Sequence, residues 1–180
     1  LMTAAALFRV VAPTIADPDL WGHVKFGQDI LANGGVVRHD PYSYTAAGAE
    51  WINHEWLSEV SFATAYGLAG PSGLIALKLA LCFATLGILY AWLRSRGVRL
   101  ILIALILLAS SVLLPVSTGT VRPHLYTLLF FTLTLRCLAS YEAGRPRALL
   151  PLPILFALWV NLHGGVLAGA AVVLAWAGAR

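Results

Sequence analysis

Four apolar stretches fix the solvent in which this chain can fold. Ser72 to Leu93 carries one charge, Lys78; Leu100 to Ser117 carries none; Leu125 to Tyr141 carries one, Arg136; Leu149 to Ala177 carries none unless His163 is protonated. About 20 apolar residues cross the hydrocarbon of a bilayer as a helix, and a helix satisfies its own backbone polar groups there. With 59% hydrophobic and 11% charged residues and a mean hydropathy of +0.81, a monomeric water-soluble globule is excluded. The expectation is an all-α, polytopic transmembrane helix bundle whose first partner is the lipid bilayer; no nucleic-acid partner is expected.

The basic residues orient the spans. Arg94, Arg96 and Arg99 share one short loop, Arg145 and Arg147 another, and Arg180 ends the chain. Short loops rich in Lys and Arg stay in the cytoplasm. Placing both loops inside gives a single transmembrane domain over 1–180: a partial first helix over 1–16, a long extracytoplasmic loop over 17–70, and membrane helices over 72–93, 100–117, 123–141, 149–161 and 165–178. The last two are read as short helices meeting at an outer turn rather than one long span. Because the sequence opens on Leu1 and stops at Arg180 just after an apolar run, a fragment of a longer protein is expected. Cys82 and Cys137 each fall inside a span and read as small core thiols.

This topology gathers polar chemistry on one face. Seven of the eight carboxylates (17, 19, 29, 40, 50, 55, 59) and three of the five histidines (23, 39, 54) lie between Asp17 and Glu59. His124, His163 and Arg122 join them at later outer helix ends, and Glu142 alone is inside. Asp17-Pro18-Asp19 opens a helix that ends at Asn33-Gly34-Gly35, with Asp17 in the N-cap position and proline first in the helix. Asp19 lies four residues before His23 on the same face. Leu20, Val24, Gly27 and Leu31 form another face, so this helix is expected to lie along the membrane surface. Residues 38–45 and 50–51 read as two extended arms around a turn at Gly48. Asn53-His54-Glu55-Trp56 opens a second surface helix with Trp56, Val60 and Ala63 to one side. Trp51 and Trp56 fit an interfacial aromatic belt. Asp29, Asp40, Glu50 and Glu59 read as solvated scaffold.

His54-Glu55 looks like the start of a zinc-protease motif, but Ser58 stands where the second histidine belongs, and that reading fails. At Arg122-Pro123-His124, proline suits a helix start, which aims Arg122 and free backbone N–H groups outward as an anion site. Arginine at membrane depth costs roughly 2.5 to 3.5 kcal/mol on insertion scales, which a bound phosphate explains better than chance; snorkelling to headgroups is the plainer account. For His163, a hydrogen bond in a helix turn is the plainer account.

An acidic pair after the first transmembrane helix, a long first outer loop with surface helices, and polar residues at later outer helix ends together resemble the GT-C superfamily of polyprenyl-phosphate-sugar glycosyltransferases. The run DPDLWGHVKFGQDIL, with DPYSYT, WINHEWLSEV, RPHLYTLLFF and WVNLHGG, is similar to bacterial membrane proteins placed near that superfamily. The resemblance implies an enzyme of the bacterial inner membrane with its active face outside. It would use a polyprenyl-phosphate-sugar donor and a glycan, lipid or protein acceptor. Asp19 or Asp17 would be the base that deprotonates the acceptor hydroxyl. Arg122 and His124 would stabilise the leaving phosphate, and His23, His54, Glu55 and His163 would bind substrate. A divalent ion held by Asp19, His54 and Glu55 is a further expectation. The rival is a non-catalytic membrane protein, a transporter or a partner-binding assembly subunit that uses the same outer loop. A transporter calls for ionisable groups within the spans, where only Arg9, Lys78 and Arg136 come close.

Overall fold

The computed structural model describes residues 2–15, 17–113 and 118–180. The ends of the first apolar stretch at Ala16 and of the 100–117 stretch at Ser117 lie outside the described residues. The described chain is all-helical: α1 Met2–Val11, α2 Leu20–Asn33, α3 Trp56–Ser95, α4 Leu100–Leu113, α5 His124–Glu142, α6 Leu152–Leu162 and α7 Val166–Gly178, with a 3-10 turn at Pro146–Leu149. The one pairing of extended backbone among the described residues is the antiparallel bridge between His39 and Glu50. The two arms exchange Asp40 N–H to Ala49 C=O and Trp51 N–H to Arg38 C=O, and Gly48 turns the chain at φ +81°.

Among the described residues, α3 alone is long and apolar enough to cross a membrane. It is bent near its middle. Ala69 and Gly70 leave helical geometry, Gly70 at φ +58°, immediately before Pro71, which can neither donate to the preceding turn nor let it pack closely. The bend separates a polar first half from an apolar second half. The final apolar stretch breaks at His163 to Gly165 into α6 and α7, of 11 and 13 residues.

Helix α2 packs on the first half of α3. Leu20, Val24, Gly27 and Ile30 are buried, whereas Leu31 is exposed. The buried stripe therefore faces another helix instead of the membrane surface, and its fourth member is Ile30. Gly27 is what allows the approach, since a Cβ there would sit 2.0 Å from the Glu59 carbonyl oxygen and 2.8 Å from the Ala63 Cβ. On the first half of α3 the buried positions are Ser58, Glu59, Phe62 and Ala63. The inner face thus lies one step round from the expected Trp56, Val60 and Ala63, because Glu59 finds partners inside.

The second half of α3 carries Lys78, which has no accessible surface. Its ammonium donates to the carbonyls of Val11 at 2.8 Å, Pro13 at 2.8 Å and Thr118 at 3.0 Å. Three donors meet three acceptors, the full capacity of the group. The Ile15 N–H donates to the Gly119 carbonyl at 2.7 Å beside them. The segment after α1 and the segment before α5 are thereby joined through α3.

Two substitutions test this frame. Gly27→Val should lower the thermal midpoint of the purified chain by the equivalent of about 1–3 kcal/mol. Gly22→Ala, where the new methyl meets only the Phe26 ring at 3.5 Å, should leave it almost unchanged, and equal midpoints would refute the close helix approach. Lys78→Met strands three carbonyls, two of them at buried bonds, and should cost about 3 kcal/mol or more. A midpoint within 1 °C of the parent chain would refute the clasp.

Candidate functional site

The site is built on the segments that Lys78 joins. Four residues beyond Pro13 comes Asp17, and four beyond Thr118 comes Arg122. Arg122 Nε donates to Asp17 Oδ2 at 2.6 Å, and Nη2 donates to Asp19 Oδ2 at 2.6 Å. Charge-assisted bonds of this length are the strong kind, and the guanidinium fork suits two carboxylates at once. The two acids are not equivalent. Asp17 is 6% exposed, and its other oxygen accepts the Asp19 N–H at 3.0 Å. Asp19 is 64% exposed, and no bond to its second oxygen occurs among the described residues.

Two expectations are corrected here. Asp17 is not the N-cap of the first loop helix: α2 starts at Leu20, Asp19 flanks it, and no side chain caps it. Asp17 instead closes a turn before the helix, because Arg122 holds both carboxylates on its own side. Nor is Arg122 an empty anion site. It carries two acids, so the three side chains together bear one net negative charge.

A second group forms where α2, α3, α5 and α6 begin or end. Glu59 is 3% exposed. Its Oε2 accepts Asn53 Nδ2 at 2.5 Å, and its Oε1 lies 3.4 Å from His23 Nδ1. Glu59 is therefore a buried, partnered carboxylate and not solvated scaffold, and it takes the partnership expected between His23 and Asp19. Asn53 also accepts the Glu55 N–H at 3.1 Å, which fixes the start of α3. Glu55 Oε1 lies 3.7 Å from both His54 Nε2 and His163 Nε2.

His163 is held by its other nitrogen. Nδ1 lies 2.8 Å from Thr127 Oγ1 and accepts the Gly165 N–H at 3.0 Å, and Thr127 Oγ1 accepts Trp159 Nε1 at 3.0 Å. An Nδ1 that accepts a backbone N–H carries no proton in the neutral ring, so the proton sits on Nε2, facing Glu55. Gly165 is required at this turn: a Cβ would meet Thr127 Oγ1 at 2.3 Å. Burial, first, pushes the His163 imidazole below its ordinary value of 6.5; Glu55 opposes the shift, and His124, His54 and His23 add to it. Those three histidines thus lie close enough for their charges to reach His163.

The structure therefore joins Asp17, Asp19 and Arg122 in one group and His23, His54, Glu55 and His163 in another, with His124 in electrostatic reach of the second. It does not join Asp19, His54 and Glu55 as metal ligands. Among the described residues no three His, Cys, Asp or Glu side chains are arranged to hold an ion, and Asp19 is paired with Arg122 instead. Trp51 and Trp56 are both held by partners within the chain. Trp51 packs on Phe26 and Tyr42, with ring centroids at 5.1 and 5.8 Å, and Trp56 Nε1 donates to Asn161 Oδ1 at 2.8 Å. Sequence reasoning did not single out Asn53, Glu59, Thr127 and Trp159. The available signal was spacing: Thr127 stands one turn beyond His124, and Trp159 one turn before His163. Beside the site, burial first, and then the bond that Tyr42 donates to Asp29 at 2.9 Å, push the Tyr42 phenol up to about 12. Compared with known protein families, curated proteins and solved structures, the chain matches none.

The lowered His163 imidazole has a signed consequence. Below pH 6.5 the unfolded chain takes up this proton while the folded chain resists it, so the contribution of His163 is full above 6.5 and is lost as pH falls. The thermal midpoint should drop as pH falls below 6.5, and His163→Gln should flatten that part of the profile. An unchanged profile in the variant would refute the assignment.

Proposed function

We propose that the chain is part of a multi-pass membrane glycosyltransferase of the GT-C type, acting at the extracytoplasmic face of the bacterial inner membrane. It would transfer a sugar from a polyprenyl-phosphate donor to an acceptor hydroxyl. Large apolar side chains left exposed on α4, α6 and α7, among them Leu100, Ile101, Leu105, Ile154, Leu158, Leu167 and Leu174, support a lipid-facing, polytopic arrangement. The observation that carries the chemistry is the Asp17–Arg122–Asp19 group, which pairs a buried acid and a solvent-facing acid on one arginine.

Asp19 is the base in this reading and Asp17 its support. The acceptor O–H gives its proton to Asp19, and the acceptor oxygen bonds to the anomeric carbon. The bond from that carbon to the phosphate oxygen breaks with its electron pair, and the polyprenyl phosphate departs. Arg122, half-exposed, is the cation nearest the leaving group. A phosphate arriving at Arg122 displaces the exposed Asp19 more readily than the buried Asp17, which frees the base as the donor binds. His163 and Glu55 orient hydroxyl groups from the side. The geometry that favours the rival, a non-catalytic membrane subunit, is that both acids already neutralise Arg122, as they would in a purely structural clasp.

Transfer from a radiolabelled polyprenyl-phosphate hexose in membranes separates the two. Asp19→Asn should reduce transfer by about 10²–10⁴-fold, the usual contribution of a positioned base, with unchanged protein level. Asp17→Asn should lower both thermal stability and transfer. Full transfer by Asp19→Asn would remove the assignment of the base.

A further inference from the structure

Beside the histidine and glutamate group lies an open groove of about 430 Å³, formed by the two loop arms, the start of α3 and the end of α6. Its volume falls within the range of roughly 300–1,000 Å³ typical of small-molecule sites. Trp51, Trp56, Arg38, Glu50, Asn53 and Asn161 line it. We propose that this groove binds a neutral saccharide.

The lining supports that ligand class on three grounds. Both indoles are fixed before a ligand arrives: Asn161 Oδ1 holds Trp56 Nε1 at 2.8 Å, and Phe26 and Tyr42 hold Trp51 by edge contacts. A preorganised wall removes much of the ordering cost of binding. Aromatic faces suit the C–H face of a pyranose ring, since the negative face of the ring attracts polarised hydrogens. Next, the exposed side chains of Arg38 and Glu50 line the same groove, yet no ion pair joins them and neither has a side-chain hydrogen bond among the described residues. One offers a planar set of donors and the other two acceptor oxygens, the complement of vicinal hydroxyls.

Charge supplies the third ground. Arg38 and Glu50 balance in formal charge, so the groove offers no excess charge of either sign to select a phosphate or a cation. A wholly apolar ligand would bury both charges unpaired, which is costly. A polyhydroxylated neutral ring satisfies both walls. His54 belongs to this groove and to the Glu55–His163 group, so a bound saccharide would extend toward the site. Its role as acceptor rests on the transferase reading; its binding does not.

The test uses the full chain in lipid nanodiscs, titrated with maltotriose, cellotriose, mannotriose and chitotriose, and followed by tryptophan emission and saturation-transfer NMR. At least one trisaccharide should bind saturably. Arg38→Ala and Glu50→Gln, both at exposed positions, should each weaken that binding by about tenfold, as loss of a charged hydrogen-bond partner does, with the thermal midpoint unchanged. Asp19→Asn should bind as the parent chain does. Failure of all four sugars to bind, or binding indifferent to both substitutions, overturns the proposal. Binding by a parent chain that transfers no sugar supports the groove and sinks the transferase reading instead.

Discussion

The arrangement depends on one buried ammonium. Lys78 lies in an apolar helix with no accessible surface, and its three donors are spent on the carbonyls of Val11, Pro13 and Thr118. A cation in such surroundings is tolerated only when every donor is satisfied. Satisfying it means that two loop segments separated by about a hundred residues must lie against the same turn of α3. Asp17 and Arg122 each follow a clasped residue by four positions. Their meeting is thus a consequence of the clasp, reinforced by the Ile15 to Gly119 backbone bond.

The two polar groups that result share one arrangement, a locked carboxylate beside a freer one. The arginine group carries one net negative charge and has its buried member, Asp17, locked at both oxygens. The histidine group is built on Glu59, itself locked by Asn53 and His23, while Glu55 holds its neighbours at 3.7 Å, too far for direct hydrogen bonds. In each group a buried carboxylate is fully engaged and a more accessible one is not. Each such pair holds one acid in place by its bonds and leaves the second with a free lone pair.

How much of this was legible in the sequence follows from the range of each interaction. Apolar runs, the Gly48 turn and the break before Gly165 are local, and periodicity and turn chemistry report them directly. Asp19, Arg122 and His163 stood out because polar residues beside long apolar runs are costly. The partnership of Arg122 with Asp17 spans more than a hundred positions, and no local pattern encodes it. Glu59 was misread because a glutamate in the first turn of a helix is ordinarily solvated and favoured there by the helix dipole. Its burial depends on Gly27, whose missing side chain lets α2 close over α3 and brings His23 across. Lys78 was visible as a lone charge in a span, but the three carbonyls that receive it come from two other segments.

The same dependence on distant partners explains why α3 carries so much of the molecule. Its first half supplies Trp56 to Asn161 on α6 and Glu55 to the His163 turn, and through Asn53 it receives the loop arms. Its second half supplies Lys78. The bend at Ala69 to Pro71 lets one helix serve both, since a straight continuation would carry the polar face of the first half into the apolar surroundings of the second. Gly73 closes the bend against Ala65, where a Cβ would lie 1.9 Å from the carbonyl oxygen. A helix bent by proline is usually the weaker for its missing bond. Here the lost bond is offset by what the bend permits: polar residues at one end stay partnered, while Lys78 stays buried and clasped.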